Sequence, residues 1–216
     1  MLRMLIMGPA GVGKGTMSRY IKTYYNIPHI STGDMFREEI KNQTPLGQEA
    51  QRYISQGLLV PDGVTIAMVK ERLSRDDCKN GYLLDGFPRS LPQAQAIEDL
   101  GINAVINLKI DEEVLVNRIT NRRVCEDCST TYNLITIPPI KEGICDKCGG
   151  KLIQREDDTY EKLMTRLKSY HEQTECLAET YYRDKGIVHD INADQTKESE
   201  FEDIKKVLTE VFGGNI

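Results

Sequence analysis

The sequence predicts an α/β fold in which a parallel sheet of about five strands carries helices on both faces and two inserted segments. Three observations predict it. Short apolar runs alternate with segments whose apolar residues recur at helical spacing, the pattern of buried strands joined by crossover helices. The first run opens onto a glycine-rich stretch that leads into a helix, a junction suited to phosphate. Residues of a different texture, with paired cysteines, interrupt the alternation around 122–160.

Met4-Leu5-Ile6-Met7 is short enough to be a buried strand, and it runs into Gly8-Pro9-Ala10-Gly11-Val12-Gly13-Lys14-Gly15-Thr16. Met17, Tyr20, Ile21 and Tyr24 then recur at helical spacing. Glycines between strand and helix let several backbone N–H groups point into one concavity at the helix N-terminus, where the dipole favours an anion. Lys14 adds a charge that reaches the outer phosphates of a nucleotide. Gly15 occupies the place of the Ser or Thr that usually follows the lysine and ligates Mg²⁺, and Thr16 comes one place late.

Ile27-Pro28-His29-Ile30 reads as a second strand, and Ser31-Thr32-Gly33-Asp34 as the start of a helix. Asp34 to Leu59 contains Pro45 and ends at Gly57-Leu58-Leu59-Val60-Pro61, the sign of a small helical excursion. A helix over 62–74 places Ile66, Val69 and Leu73 on one face. Gly81-Tyr82-Leu83-Leu84-Asp85 is an apolar strand with an acidic end, the form that manages Mg²⁺ in phosphate-loop enzymes. Gly86-Phe87-Pro88-Arg89 follows at the strand's carboxyl end, where open α/β sheets bind ligands, with Gln93 on the same side. Ala104–Leu108 is a further strand, and Val114, Leu115 and Ile119 mark a helix running toward Arg118, Arg122 and Arg123.

Cys125, Cys128, Cys145 and Cys148 form C-x₂-C-x₁₆-C-x₂-C. Two residues between thiolates let one turn present both sulfurs to one metal, and two such turns close a tetrahedron around Zn²⁺, with iron or disulfides as alternatives. A four-sulfur site has no open position, so the metal holds shape, supplying what so small a module cannot obtain by packing. Cys78 and Cys176 fall outside the pattern and read as buried or half-buried thiols. Past Arg155 a long amphipathic helix sets Leu163, Leu167, Tyr170, Leu177 and Tyr181 on one face, with Arg166 beside it and Gly186 as its stop. Ile187–Ile191 is the last strand. A final helix turns Phe201, Ile204, Leu208 and Val211 inward and stops at Gly213-Gly214. His29 and His189 read as structural, and His171 as a solvated helix residue.

The 216 residues can bury a full core, and the net charge of −5 argues against a general nucleic-acid or membrane surface. No apolar run approaches the roughly 18 residues of a membrane span, and the N-terminal apolar stretch is too short for a signal peptide. A cytoplasmic protein in a reducing compartment is expected. Arg37, Arg89, Arg122, Arg155 and Arg166, with Arg118 and Arg123 as further candidates, fall beside the predicted cleft or on the insertions that border it. Phosphoryl transfer gives them a purpose, because it asks for positioning and for neutralisation of charge on equatorial oxygens, which planar guanidinium groups supply bidentately.

Over nearly its whole length the sequence resembles the bacterial adenylate kinases of the long form with a zinc-bearing lid. The carriers are the GPAGVGKGT loop, STGDMFR at 31–37, DGFPRSLPQA at 85–94, the NRRVCEDC and CDKCGG pair, and REDDTYEKLMTRL at 155–167. The resemblance implies a P-loop NTPase fold and reversible, Mg²⁺-dependent transfer, ATP + AMP to two ADP, by a monomer with no nucleic-acid or membrane partner. It implies a core of 1–30, 61–121 and 161–216, an AMP-binding unit of 31–60 and a zinc lid of 122–160. Gly11, Val12, Gly13, Lys14, Gly15 and Thr16 would hold donor phosphates, with Arg122, Thr131, Tyr132 and the backbone at Gln195 around the donor nucleotide. Thr32, Arg37, Leu58, Leu59, Val60, Gly86, Phe87, Pro88, Arg89 and Gln93 would form the AMP site, Gln93 facing adenine. Lys14, Arg89, Arg122, Arg155 and Arg166 would act on the transferred group, the last two also bordering AMP. Asp34 and Asp85 would hold Mg²⁺ through water. Pro9-Ala10 reverses the family's usual order, and Ser90 stands where threonine is frequent. A UMP, CMP or GMP kinase, a GTP-using adenylate kinase, and a nucleotide switch or nucleic-acid-binding zinc ribbon are the rival readings; acidic Glu126, Asp127, Glu142 and Asp146 around the cysteines speak against the last.

Overall fold

A computed structural model describes residues 1–213; Gly214, half of the proposed helix stop, lies outside them. Five parallel strands form the main sheet: β1 (Leu2–Met7), β2 (His29–Ser31), β3 (Gly81–Asp85), β4 (Ala104–Lys109) and, after the three strands of the second insertion, β8 (Val188–Asn192), in the order β2-β3-β1-β4-β8. In the central strand, Met4 and Ile6 enter one core cluster and Leu5 and Met7 the other. The period-two alternation of a strand covered on both faces therefore sorts one continuous apolar run into two cores. The first core takes its helical cover from α1 (Lys14–Tyr25), α6 (Glu112–Thr120), α7 (Tyr160–Ser169) and α8 (Lys197–Phe212). The second takes it from α4 (Asp62–Leu73), the short α5 (Leu91–Gln95) and the continuation of α7.

The chain leaves β1 for one side of the sheet and returns at β4 on the other, so a crevice opens beyond the carboxyl end of β1. Register places Ile6 and Ser31 beside Asp85, which brings the phosphate-type loop, the start of the first insertion and the acidic strand end to one rim. The first insertion is the helix pair α2 (Thr32–Lys41) and α3 (Pro45–Ile54), each started by a hydroxyl cap, from Ser31 and Thr44. Phe36, Ala50 and Val60 give it a small core of its own. The second is an antiparallel sheet of β5 (Arg122–Cys125), β6 (Thr131–Asn133) and β7 (Leu152–Ile153), in the order β6-β5-β7. These short strands carry no periodic signal in the sequence.

Several expected details differ. Past Ser169 the long helix widens to π-helical turns over Tyr170–Thr174 and Leu177–Tyr181. Each wide turn retards the apolar stripe, so Tyr182 is buried in place of the expected Tyr181, which is half-buried. In α8, Phe201, Ile204 and Leu208 point inward, but Val211 is exposed, and Phe212 packs on the core because the stripe ends on an i+4 step. Cys176 is exposed, lying on the outer face of the helix, whereas Cys78 is buried. His171 is bound rather than merely solvated: Nδ1 meets Glu175 at 2.8 Å and Nε2 meets Glu112 on α6 at 2.6 Å.

Candidate active site

The rim of the sheet encloses a cleft of about 620 Å³ with a side recess of about 80 Å³. Gly11 to Thr16, Asp34, Arg37, Asp85, Gly86, Phe87, Pro88, Arg89, Arg122, Thr131, Tyr132, Arg155, Arg166 and Gln195 line the cleft. Thr32, Leu58, Leu59, Val60 and Gln93 line the recess, which shares Arg37, Gly86, Arg89 and Arg166 with the cleft. Residues drawn from every part of the chain thus converge on one space. Arg118 lies on its wall, but its guanidinium donates to the carbonyls of Val12 and Ala193 and fastens the loop to the sheet. Arg123 turns to the carbonyls of Thr120 and Arg122.

Gly13, at φ 123°, caps α1 in a conformation closed to other residues, and the amides of Thr16 and Met17 both donate to its carbonyl. Lys14 curls back over the loop and donates to the carbonyls of Gly8 and Pro9 at 2.6 and 2.8 Å. It has no carboxylate partner among the described residues. Burial, relieved in part by Asp85 and aggravated by Arg89, Arg166 and Arg122, pushes its ammonium down to about 7. Gly86, at φ 74°, leaves the space that Arg89 and Thr32 need: a Cβ there would sit 2.8 Å from the Arg89 guanidinium and 3.0 Å from the Thr32 hydroxyl. Thr32 Oγ1 donates to the Gly86 carbonyl at 2.8 Å, and Arg89 Nε donates to the same oxygen at 2.8 Å.

The other arginines are paired. Arg122 grips the fully buried Asp158 with two hydrogen bonds, one of them 2.7 Å from Nε to Oδ2. Arg166 donates to Asp157 at 2.8 Å and approaches Asp158 at 3.7 Å. Arg37 meets Asp34 at 2.5 Å, with Arg155 3.9 Å from the same oxygen. Burial pushes the Asp157 carboxyl up, yet Arg166, Arg122, Arg155 and Arg37 together hold it below its ordinary value. The cations crowd one another: burial and then Arg166 bring Arg89 down to about 10, and burial with Arg37 and Arg122 does the same to Arg155. Arg89, like Lys14, faces no carboxylate within salt-bridge distance among the described residues. Asp157 and Asp158 escaped the sequence reading, although two adjacent acids beside Arg155 are the signal that such a cation cluster needs internal counter-charges.

The acidic strand end suits a hard cation. Asp85 accepts at Oδ2 from His29 Nε2, 3.1 Å away, and its other oxygen has no protein partner among the described residues. Asp34 offers only the oxygen that Arg37 does not hold. Two carboxylates with room for water fit Mg²⁺, which keeps much of its hydration.

In the second insertion the four sulfurs of Cys125, Cys128, Cys145 and Cys148 all lie within 4.8 Å of one another, with separations of 3.3, 3.4 and 3.6 Å among the nearest pairs. A tetrahedron with Zn–S bonds of about 2.3 Å needs edges of about 3.8 Å, whereas a disulfide needs about 2.05 Å. The thiols are free and the geometry fits a four-thiolate metal. Tyr132 is buried, and its hydroxyl sits 3.4 Å from Cys145 Sγ while accepting from the Asp146 amide at 2.8 Å. That hydroxyl serves the cysteine cluster.

A family model described as adenylate kinase matches residues 6–187. The chain belongs to the adenylate kinase family. An adenylate kinase of Geobacillus sp. (strain WCH70) is 48% identical over 213 residues, covering 96% of this chain and 98% of the relative. One from Caldicellulosiruptor saccharolyticus is 49% identical over 208 residues, covering 91% and 96%, and one from Clostridium tetani is 46% identical over 213, covering 96% and 98%. For an adenylate kinase, two cations with no carboxylate partner among the described residues, Lys14 in the cleft and Arg89 where the cleft meets the recess, are the feature that organises the rest.

Proposed function

We propose that the cleft and its recess are two abutting nucleotide sites that share one transferring phosphoryl group. As an adenylate kinase the enzyme interconverts ATP plus AMP with two ADP. The amides of Gly11 to Thr16, with Lys14, hold the donor phosphates; Arg122, Thr131, the backbone of Tyr132 and the backbone at Gln195 border the donor nucleotide. Thr32, Leu58 to Val60, Gly86 to Arg89 and Gln93 form the AMP site, with Arg37 and Arg89 on its phosphate and Gln93 against adenine. Arg155 and Arg166 flank the point where the two phosphates meet.

The observation that carries this reading is a pair of cations that meet carbonyl oxygens but no carboxylate among the described residues. Lys14 and Arg89 are held at depressed pKa among other positive groups, a strained arrangement that a polyanion relieves. Because the guanidinium groups are oriented before substrate arrives, their field acts on charge as it develops, with little reorganisation. Asp85 and Asp34 would hold Mg²⁺ through water beside the ATP phosphates, and the ion would neutralise part of their charge. Zinc at the four cysteines holds the 122–160 unit as one rigid lid hinged near 120 and 160, and the 31–60 unit closes over AMP. Such flaps keep water from accepting the phosphoryl group, a use for which the family's lid is an established example.

The enzyme works as a cytoplasmic monomer with no nucleic-acid or membrane partner. The net charge of −5 speaks against a general nucleic-acid surface, and no helix among the described residues is long and apolar enough to cross a membrane. The test is coupled turnover of Mg-ATP and Mg-GTP against AMP, UMP, CMP and GMP, with metal content assayed on the same sample. Strong preference for AMP supports the site assignment. Preference for another acceptor would overturn the roles of Thr32 and Gln93 while leaving the fold and chemistry in place.

A further inference from the structure

Gln93 is buried, and both ends of its amide are already engaged. Oε1 accepts from the Arg89 backbone N–H at 2.8 Å, and Nε2 donates to Asp62 Oδ1 at 2.7 Å. Asp62 sits in the first turn of α4, and its second oxygen accepts from Ser90 Oγ at 2.9 Å. Ser90 Oγ also caps α5, accepting from the Gln93 backbone N–H at 3.4 Å. Three elements therefore converge on one side chain.

A primary amide can present its oxygen and its nitrogen in either sense, and most sites leave the choice to the ligand. Here the neighbours decide. An ionised carboxylate only accepts and a peptide N–H only donates. Turning the amide over would set two acceptors 2.7 Å apart at Asp62 and two donors together at Arg89. One N–H and one lone pair of Gln93 remain, in a fixed order, on a side chain that lines the recess with Thr32 and Val60.

We propose that Asp62 is a positioning residue that fixes the sense of the Gln93 amide, and through it the choice of adenine over guanine in the acceptor nucleotide. The inference rests on the acceptor site lying in that recess. Adenine presents an amino donor at position 6 beside a ring-nitrogen acceptor, whereas guanine presents a carbonyl acceptor at position 6 beside a ring N–H donor. With the acceptor phosphate held on Arg37 and Arg89, the base cannot turn round to suit the amide. The fixed oxygen of Gln93 then meets the adenine amino group but opposes the guanine carbonyl. Sites built this way reject the wrong partner strongly, because the mismatch leaves buried polar groups unpaired.

The test is the ratio of kcat/KM for AMP to that for GMP, with both substrates assayed on one preparation so that the folded fraction cancels. Asp62→Asn keeps the shape but offers an amide that can donate as well as accept, which removes the clash at Asp62 and leaves only the Arg89 N–H opposing the turned Gln93 amide. The expected result is a fall in the AMP:GMP ratio of about ten- to a hundredfold, the weight of one hydrogen bond to a charged group, with GMP turnover rising in absolute terms. Ser90→Ala, which frees the second oxygen of Asp62, lowers the ratio in the same direction by less and serves should Asp62→Asn not fold. Gln93→Ala separates the inference from the reading beneath it. If Gln93→Ala collapses the ratio while Asp62→Asn and Ser90→Ala lower AMP and GMP turnover in parallel, Asp62 is structural and the inference is wrong. If Gln93→Ala leaves the ratio unchanged, adenine is not read at Gln93 and the acceptor-site assignment fails with it.

Discussion

Donor nucleotide should take up a proton through Lys14 when it binds. In the free enzyme burial holds the Lys14 ammonium near pKa 7, against the ordinary 10.5. A phosphate placed beside the amine favours its charged form and returns the pKa to well above 8. At pH 8 the free amine is then about nine-tenths neutral and the bound one fully charged, so binding takes up about 0.9 proton. At pH 6 it takes up about 0.1, because the amine is already charged. The sign follows directly: a depressed lysine pKa raised by ligand makes binding weaken as pH rises, approaching tenfold per pH unit above 7 until the bound pKa is reached. The assay is calorimetric titration of ATP without AMP at pH 8, in two buffers of different ionisation enthalpy. Glu200 lines the same cleft, and burial raises its carboxyl to about 7, so a control is needed. Lys14→Arg provides one, since guanidinium stays charged throughout; the variant keeps only what Glu200 contributes, so its uptake should fall by about 0.9 proton. Equal uptake by the wild type and Lys14→Arg, or none by either, would refute the argument that Lys14 is poised neutral for a phosphate.

Three further outcomes are expected. Asp158→Asn leaves Arg122 without its buried counter-charge and costs about 3–5 kcal/mol, or roughly 6–20 °C in the melting temperature of the free enzyme for a chain of this size; a shift under 2 °C would show that the pair is not a structural anchor. Removal of the lid metal by a chelator, with its release verified by metal analysis, lowers the melting temperature and the activity above ambient temperature; an unchanged temperature profile would exclude the rigid-lid role. Glu200→Gln relieves a buried carboxyl with one unpartnered oxygen, whose cost is absent below pH 4.5, grows up to about pH 7 and is full above it. The variant should be more stable than the parent by roughly 1–3 kcal/mol at pH 8 and little changed at pH 4.5; equal denaturation midpoints at both pH values would contradict the raised pKa.

Much of the fold was legible because buried parallel strands write themselves as short apolar runs, and all five were readable in this way. Their ends shifted by a residue or two: β2 is His29–Ser31, one residue past the apolar run, because pairing with β3 extends to Asp85. The strands of the second insertion were not legible, since a sheet pinned by four cysteines needs no apolar alternation. Tyr182 was missed for Tyr181 because a π-helical turn leaves no mark in a 3.6-residue pattern. In the site, glycines, Lys14 and the arginines announced themselves by type and spacing. The acids around them did not: Asp158 and Asp62 gain meaning only when Arg122 and Gln93, 36 and 31 residues away, are seen to touch them, and Asp157 only when Arg166 is seen to reach back to it.

The central claim is that pre-oriented guanidinium groups act on the phosphoryl group during transfer rather than merely holding nucleotides. Arg166→Lys tests it most directly, because it keeps the charge beside Asp157 while removing the planar fork. The account predicts that kcat falls by about a hundredfold or more, with KM for ATP and AMP changed only a few-fold and the melting temperature nearly retained. A variant with wild-type kcat and raised KM would place Arg166 in ground-state binding alone and contradict the account.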